Sequence, residues 1–553
     1  MMQPLAAVDL WAPFTTDTLL EVRTGKMQPL RGINKVLSGI DKLLREGPVR
    51  VTSAGIDEDE HDYTFHGGPE KAIHGFCSTH YTDLQKEYPS AAQDFQPGGF
   101  GENFVTAHMN ERNVCIGDVI AVGDDVSGIL LQVSLPRQPC FKLNTRFQLK
   151  DFAVTAWKTS RTGWYYRVLR PGTVQAGDTI RLVERRHPKW TIERIQEYLH
   201  RKTDDEAMNA ELAAIEELGP ESRGQFRSRV AKVEAKARKA LNAPKWRDFK
   251  VVEKTRQTPR VVSFVLEAVE PIAEEEEAEL DPGAHAKIKL GNGLVRAYSI
   301  VDGDKNKFQL GISLEPGSRG GSKYMHETVE VGNVLQVGAI TEAIQLQMAA
   351  SNHIFVAAGV GLTAFLSMVE VLKRINYSVV LHYAVRSADE VPFRERIEKL
   401  GDNVVLYDKS AGQRLDIRGI VGGMVWNSHL YFCGPKRLME EAARETKTRG
   451  IPKKEVHFEA FEADISGDPF EAVVANKRNK VLEIGEEETL LEILQAHFED
   501  VASSCSVGNC GTCKIGLKEG RVDHRGTALA EDEKETSMLA CVSRGIGRIT
   551  IEI

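Results

Sequence analysis

The stretch "SSCSVGNCGTCK" (Ser503–Lys514), with a lone cysteine following at Cys541, decides the reading of this chain. Four of the eight cysteines fall here, as Cys505-x4-Cys510-x2-Cys513 and then a long gap to Cys541. This is the plant-type ligand spacing of a [2Fe–2S] cluster. Three ligands then share one loop, in which Gly508 and Gly511 let the backbone curl with its amides toward the sulfurs. Structural zinc is the alternative, but zinc ribbons usually offer two C-x2-C knuckles and only one such pair is present. Four unrelated core cysteines would not be spaced so tightly. Around the loop, "KVLEIGEEETLLEILQAHFEDVASSC" (Lys480–Cys505) reads as strand, turn and amphipathic helix, and "RITIEI" (Arg548–Ile553) as a closing strand.

The rest of the chain is too long to be one domain. Its 553 residues exceed what a single core supports. Hydrophobic and charged contents of 42% and 27% are those of a globular protein. A net charge of −8 speaks against nucleic acid as a partner. No run approaches the ~18 apolar residues of a membrane span. "MMQPLAAVDLWAPFTTD" (Met1–Asp17) has acids and no basic n-region, so it does not read as a secretory signal. The cysteines are too sparse for a disulfide scaffold, and a reducing, cytoplasmic compartment is expected.

Upstream of the cysteines, "RAYSI" (Arg296–Ile300) lies in a strand-like run and is followed by "GSRGGSKYMH" (Gly317–His326). The Gly320-Gly321-Ser322 turn offers free amides to a phosphate. "NHIFVAAGVGLTAFLSMVEVLKR" (Asn352–Arg374) reads as apolar strand, G-x-G turn and helix, an arrangement that meets a pyrophosphate. "SVVLHYAVRS" (Ser378–Ser387) and "HLYFCGPKRLMEEAARE" (His429–Glu445) supply further strands bordered by helical patterns. The expectation is an open α/β sheet with ligands at the strand C-termini.

In this order, the region from about Ala243 to Ile553 resembles phthalate dioxygenase reductase: flavin barrel, nicotinamide domain, ferredoxin. The likeness continues through "VDHRGTALAEDEKETSMLACVSR" (Val522–Arg544). The resemblance implies FMN and NADH as cofactors. It assigns Arg296, Tyr298, Ser299, Gly320, Gly321 and Ser322 to the flavin. It places Gly359, Gly361, Thr363, Cys433, Gly434 and Pro435 beside the nicotinamide, and Phe461 near the flavin. It makes Cys505, Cys510, Cys513 and Cys541 the ligands of the cluster. Ala358 and Ala364 stand where the family commonly has Gly and Pro. No acidic residue after "LHYAV" announces a ribose contact, and Arg386 would tolerate a 2′-phosphate, so NADPH stays open.

The front of the chain alternates short β-like runs with Gly turns: "GDVIAV" (Gly117–Val122), "SGILLQVSL" (Ser127–Leu135) and "GDTIRLVE" (Gly177–Glu184). A β-rich barrel is the natural reading. In "VSLPRQPCFKLN" (Val133–Asn144), Arg137 and Lys142 flank Cys140 and would favour its thiolate, which suits a metal ligand or nucleophile. A small buried hydrophobe is the other reading of this cysteine. Five stretches, "VRTGK" (Val22–Lys26), "FHGGPEKAIH" (Phe65–His74), "GENFVT" (Gly101–Thr106), "NVCIGD" (Asn113–Asp118) and "RTGWYYRVLRPG" (Arg161–Gly172), resemble the MOSC domain. The similarity is to the bacterial type that protects against hydroxylaminopurine, over about residues 18–240. The tail "TIERIQEYLHRK" (Thr191–Lys202) to "FRSRVAKVEAKARKAL" (Phe226–Leu241) resembles the small three-helix domain that follows it. The resemblance implies a molybdenum cofactor, a pterin dithiolene with a phosphate, and Cys140 as thiolate ligand to molybdenum. It makes His66, Gly67, Gly68, Glu102, Asn103, Arg137 and Lys142 candidates for the pocket, with Glu102 or His66 moving protons. Taken singly, a Glu-Asn pair also caps turns and His66 also satisfies core backbone. "GIDEDEHDYTFHGGP" (Gly55–Pro69) departs from the family just before the histidine. Cys77 and Cys115 read as structural.

The expected architecture is multidomain α/β and β. It comprises a MOSC β-barrel (1–185), a three-helix domain (186–243), a flavin-binding antiparallel β-barrel (244–345), a parallel α/β nicotinamide domain (346–463) and a β-grasp plant-type ferredoxin (464–553). The expected activity is self-sufficient: NADH reduces N-hydroxylated small molecules through FMN, the [2Fe–2S] cluster and molybdenum, without an external redox partner, nucleic acid or membrane. The rival reading is an electron donor to a separate oxygenase, with the MOSC part as a cofactor or sulfur carrier or an adaptor.

Overall fold

Two closed barrels organise the chain, and each belongs to a different unit. In the computed structural model, residues 12–553 are described except 32, 63–66, 243–245, 273–278, 315–319, 343, 462–464, 466, 487, 499–500, 504–506, 509–510 and 527. One unit comprises Met1–Ala243 with Met348–Ser351 and Arg374–Ser378, and the other Pro244–Gln347, Asn352–Lys373 and Val379–Ile553. Among the described residues no helix is long and apolar enough to cross a membrane.

In the first unit, Thr179–Glu184, Val119–Val122, Ile129–Pro136, Trp164–Arg170, Ile73–Cys77, Phe104–Thr106 and Thr16–Thr24 neighbour one another in that order, and the last pairs back onto the first. The barrel is thereby closed without a free edge. Its pairings are antiparallel except that of Ile73–Cys77 with Phe104–Thr106. Leu131, Val133 and Leu135 alternate along one strand and are almost fully buried. The helices that follow, Ile192–Gln196, Glu206–Ala213 and Pro220–Asn242, start on side-chain caps from Thr191 and Asp205 in the first two cases. Ile195, Leu212 and Phe226 sit in the same buried cluster as the barrel residues Val133 and Leu135, so the apolar faces of the three helices pack on the barrel.

The second unit opens with a six-stranded antiparallel barrel of Arg247–Arg256, Val261–Ala268, Lys307–Ser313, Val295–Gly303, Ala284–Lys289 and Val334–Glu342, closed between the first and last strands. A five-stranded sheet follows, in the order Val404–Asp408, Ser378–Val385, Asn352–Ala358, Ser428–Cys433, Val456–Glu459. The strand earliest in the chain, Asn352–Ala358, is central, so the order reverses between it and Ser428–Cys433. The carboxyl ends at such a switch point form a crevice for ligands. The chain ends in a five-stranded mixed sheet with the helix Leu490–His497 against it. That helix starts on a reciprocal Thr489–Glu492 capping box.

Candidate functional site

The first unit holds a cleft of about 540 Å3, open mouth included, into which Cys140, Gly67, Asn103, Arg137 and Lys142 converge. Cys140 lies just past the strand Ile129–Pro136 and directly before the helix Phe141–Phe147. Arg137 is 4% exposed. Its Nη2 donates to the Phe100 carbonyl (3.3 Å), while Nε and Nη1 are buried and find no hydrogen-bond partner among the described residues. Lys142 Nζ reaches Asp62 Oδ2 at 3.2 Å. A buried guanidinium with unused N–H groups is costly unless something anionic meets it. A soft thiol beside it completes a donor set that fits a phosphate-bearing metal cofactor. Gly68 has φ +82° and a Cβ there would meet no atom within 4 Å, so glycine serves backbone conformation and leaves room.

Glu102, expected as a proton-transfer group, is not brought to the cleft. It is fully buried, accepts hydrogen bonds from the Tyr81 hydroxyl and the Gly98 amide, and takes the Phe100 amide at 3.0 Å. Burial pushes its carboxyl up. The carboxylate pins the Gly98–Phe100 turn from behind, which is the capping alternative rather than the catalytic one. His66 lies outside the described residues.

The cleft also contains groups that no motif announced. Lys42 Nζ donates to Asp59 Oδ2 at 2.6 Å, with both side chains nearly inaccessible. Asp59 also accepts from Asn103 Nδ2 (2.7 Å) and the Gly25 amide (2.7 Å), and His61 Nε2 lies 3.0 Å from it. Burial pushes Asp59 up, but His61 and the Lys42 charge outweigh it and hold the carboxyl at about 2. Burial pulls Lys42 down against the same partner; the short contacts are those of an ion pair. His74 also lines the cleft, neutral, held at about 3 by burial and then by the Arg137 charge. Asp59 and His61 sit in the acid-rich run that departs from the family pattern, and such a run reads in sequence as a solvated loop.

In the second unit, Arg296, Tyr298 and Ser299 share the strand Val295–Gly303. A Cβ on Gly321 would meet Arg296 Cγ at 2.8 Å, so the arginine lies directly over the Gly320–Ser322 turn. The Tyr298 hydroxyl is buried without a hydrogen-bond partner among the described residues, and burial pushes the phenol up. An arginine, a glycine turn and an orphan hydroxyl on one barrel face fit a flavin with its phosphate. Phe461 stands 39% exposed just past the strand Val456–Glu459.

At the switch point, Gly359–Gly361 and Cys433–Pro435 follow the two central strands. Gly359 has φ +57° and its carbonyl accepts from the Tyr383 hydroxyl (3.0 Å). Thr363 Oγ1 donates to the Val360 carbonyl (2.9 Å), tightening the turn. A Cβ on Gly434 would touch Ala358 Cβ at 3.2 Å, so the small residue at 358 suits this turn. Burial, and then the Glu459 charge, push the Cys433 thiol well up. The crevice thus offers a neutral thiol and close backbone, the lining expected beside a nicotinamide.

In the C-terminal sheet, the sulfurs of Cys513 and Cys541 are buried and 3.1 Å apart without a disulfide. Cys505 and Cys510 lie outside the described residues. Gly508 (φ +81°) approaches Gly526 so closely that a Cβ would meet its Cα at 2.8 Å. The loop glycines are therefore required by geometry, and the paired thiols fit neighbouring ligands of a cluster.

Fold and sites together define a fused oxidoreductase, with a flavin and nicotinamide reductase and a [2Fe–2S] domain behind a MOSC barrel. Residues 62–181 match the MOSC domain model, 190–233 the YiiM-like 3-alpha helix domain and 473–544 the 2Fe-2S iron-sulfur cluster binding domain. A "Reductase" of Gibberella moniliformis is 36% identical over 97% of this chain and 95% of its own. The heme-dependent oxidative N-demethylase beta subunit of Ectopseudomonas mendocina is 34% identical over 48% of this chain and 86% of its own. The phthalate 4,5-dioxygenase oxygenase reductase subunit of Pseudomonas putida is 32% identical over 47% and 83%. The chain belongs to the family of the Gibberella reductase, and it joins MOSC and YiiM-like modules to a reductase of the phthalate dioxygenase reductase type.

Proposed function

We propose that this chain is a self-sufficient, NADH-dependent molybdenum oxidoreductase that reduces N-hydroxylated compounds: hydroxylaminopurines, amidoximes and hydroxylamines. The observation that carries this reading is the cleft lined by both Cys140 and Arg137, whose buried Nε and Nη1 find no partner among the described residues, on the same chain as a reductase. Cys140 would hold molybdenum, and Arg137 and Lys142 the pterin phosphate. Arg296, Tyr298, Ser299 and the Gly320–Ser322 turn would hold FMN. Gly359, Gly361, Thr363 and Cys433–Pro435 would receive NADH, and Cys505, Cys510, Cys513 and Cys541 the cluster. When bound, these groups supply hydride donation, splitting of the electron pair and acceptance of the hydroxyl oxygen.

The net change is R–NHOH plus two electrons and two protons to R–NH2 and water, with the N–O bond broken and the electron pair taken from NADH. The chain's own residues must orient the substrate and provide protons. His61 would be the proton-transfer group of the cleft wall, with Nε2 3.0 Å from Asp59, which Lys42 and Asn103 in turn lock in place. Glu102 positions the Gly98–Phe100 wall from behind.

The test is anaerobic NADH oxidation by the loaded chain with and without benzamidoxime or hydroxylaminopurine, beside Cys140→Ser. Substrate-dependent oxidation that disappears in the variant, while NADH still bleaches flavin and cluster, is the expected result. A second reading is donation to a separate oxygenase. It is favoured by relatives whose names are those of subunits, a demethylase beta subunit and a dioxygenase reductase subunit. Reduction of flavin and cluster with no substrate consumed in either form would select it.

A further inference from the structure

The strand Ala284–Lys289 pairs with Val295–Gly303, and Lys287 stands opposite Ala297, between the positions facing Arg296 and Tyr298. Its neighbours Ala286 and Ile288 are buried in the barrel. Lys287 alternates to the outer face, where a side chain is not needed for packing. There its Nζ donates twice to one residue, to the Ser503 carbonyl and to Ser503 Oγ, both at 2.7 Å. Ser503 precedes the first ligand of the cysteine loop, Cys505, by two positions. Gln495 Nε2, from the helix Leu490–His497, holds the same Ser503 Oγ at 2.8 Å and the Val501 carbonyl at 3.0 Å. The segment that enters the cluster loop is therefore gripped from its own domain by a neutral amide. The flavin barrel grips it with a cation, whose hydrogen bonds are the stronger kind.

We propose that Lys287 is a positioning residue for electron transfer from flavin to cluster, fixing the approach of the cysteine loop to the strand pair that carries Arg296, Tyr298 and Ser299. The inference rests on the reading of those residues as the flavin site and of the four cysteines as cluster ligands. With both groups bound, the step would pass a single electron of the NADH-derived pair from reduced flavin to oxidised cluster, with no covalent bond formed or broken; Lys287 would act on it through Ser503.

The test uses the full, cofactor-loaded chain with Lys287→Met and Lys287→Arg. Anaerobic stopped-flow mixing with NADH follows flavin bleaching and cluster reduction separately. Hydrogen–deuterium exchange of the Val501–Ser503 segment without NADH gives a readout independent of turnover. With Lys287→Met, flavin bleaching keeps the parent rate, cluster reduction slows roughly tenfold with the loss of two charge-assisted hydrogen bonds, and the segment exchanges faster. Lys287→Arg restores both. Cluster reduction at the parent rate in Lys287→Met would overturn the proposal, and so would slower reduction without faster exchange. A parent chain whose flavin NADH does not bleach would instead overturn the flavin reading beneath it.

Discussion

Gly361 and Cys433 stand so close that a Cβ on the glycine would collide with the cysteine carbonyl oxygen. This contact joins the two turns at the switch point of the nucleotide sheet, and no side chain fits between them. Gly361→Ala must push the turns apart, at an overpacking cost of about 1–3 kcal/mol. The expected outcome is a raised KM for NADH in ferricyanide reduction, with the cluster spectrum unchanged.

The cluster loop is as intolerant. A Cβ at Gly508 would meet Val542 Cγ2 at 2.7 Å, at a φ of +81°. Gly508→Ala should lower iron content per chain, and Cys541→Ser should abolish the cluster signal. In both, NADH should still bleach the flavin, because hydride transfer does not use this loop.

The Lys42–Asp59 pair predicts a double-mutant signature. Asp59→Asn leaves a buried ammonium uncompensated and should destabilise the first unit by about 3–5 kcal/mol in urea unfolding. Lys42→Met with Asp59→Leu should recover much of that loss, since an apolar pair removes both charges together.

Acid should weaken the fold from pH 6.5 downward. Burial holds His74 and His353 at about 3 and His200 and His457 at about 4. The unfolded chain takes up these protons near 6.5 and the folded chain refuses them, so stability is full above 6.5 and falls as pH drops. Asp59, held at about 2 against an ordinary 3.8, adds a further loss between those values as its carboxylate is protonated. Urea midpoints measured across this range should fall continuously with acid.

Glu102 and His61 should separate structure from proton transfer. Glu102→Gln weakens the turn it pins and should cost about 1–3 kcal/mol of stability. Substrate reduction per folded chain should then stay near the parent value. His61→Gln should fold normally and slow reduction of the N-hydroxylated substrate by about 100-fold or more, the usual worth of a general acid.

Much of this was legible before the fold. Cys513 and Cys541, the G-x-G of Gly359–Gly361 and the strand of Tyr298 are read from local spacing, because loop curvature and strand-to-turn geometry depend on residues a few positions apart. The cleft was half legible: Cys140, Arg137 and Lys142 lie within one short segment, so their convergence follows from the chain itself. Between the two readings of Glu102 the sequence did not choose, because a carboxylate in a "GEN" stretch carries no sign of which way it faces. Lys42, Asp59 and His61 were passed over because charged residues in acidic, glycine-bearing runs look solvated.

The order of modules, their cofactor-type glycines and cysteines, and the periodicity of their strands and helices are properties of sequence neighbours, and the sequence by itself determined them. The tertiary structure alone decided which charges are buried against each other and which helices pack on the barrel. It also decided that Lys287 meets Ser503 across 216 positions of chain. Such pairings depend on chain closure and on the exclusion of water from both partners, and neither is encoded in any local window of residues.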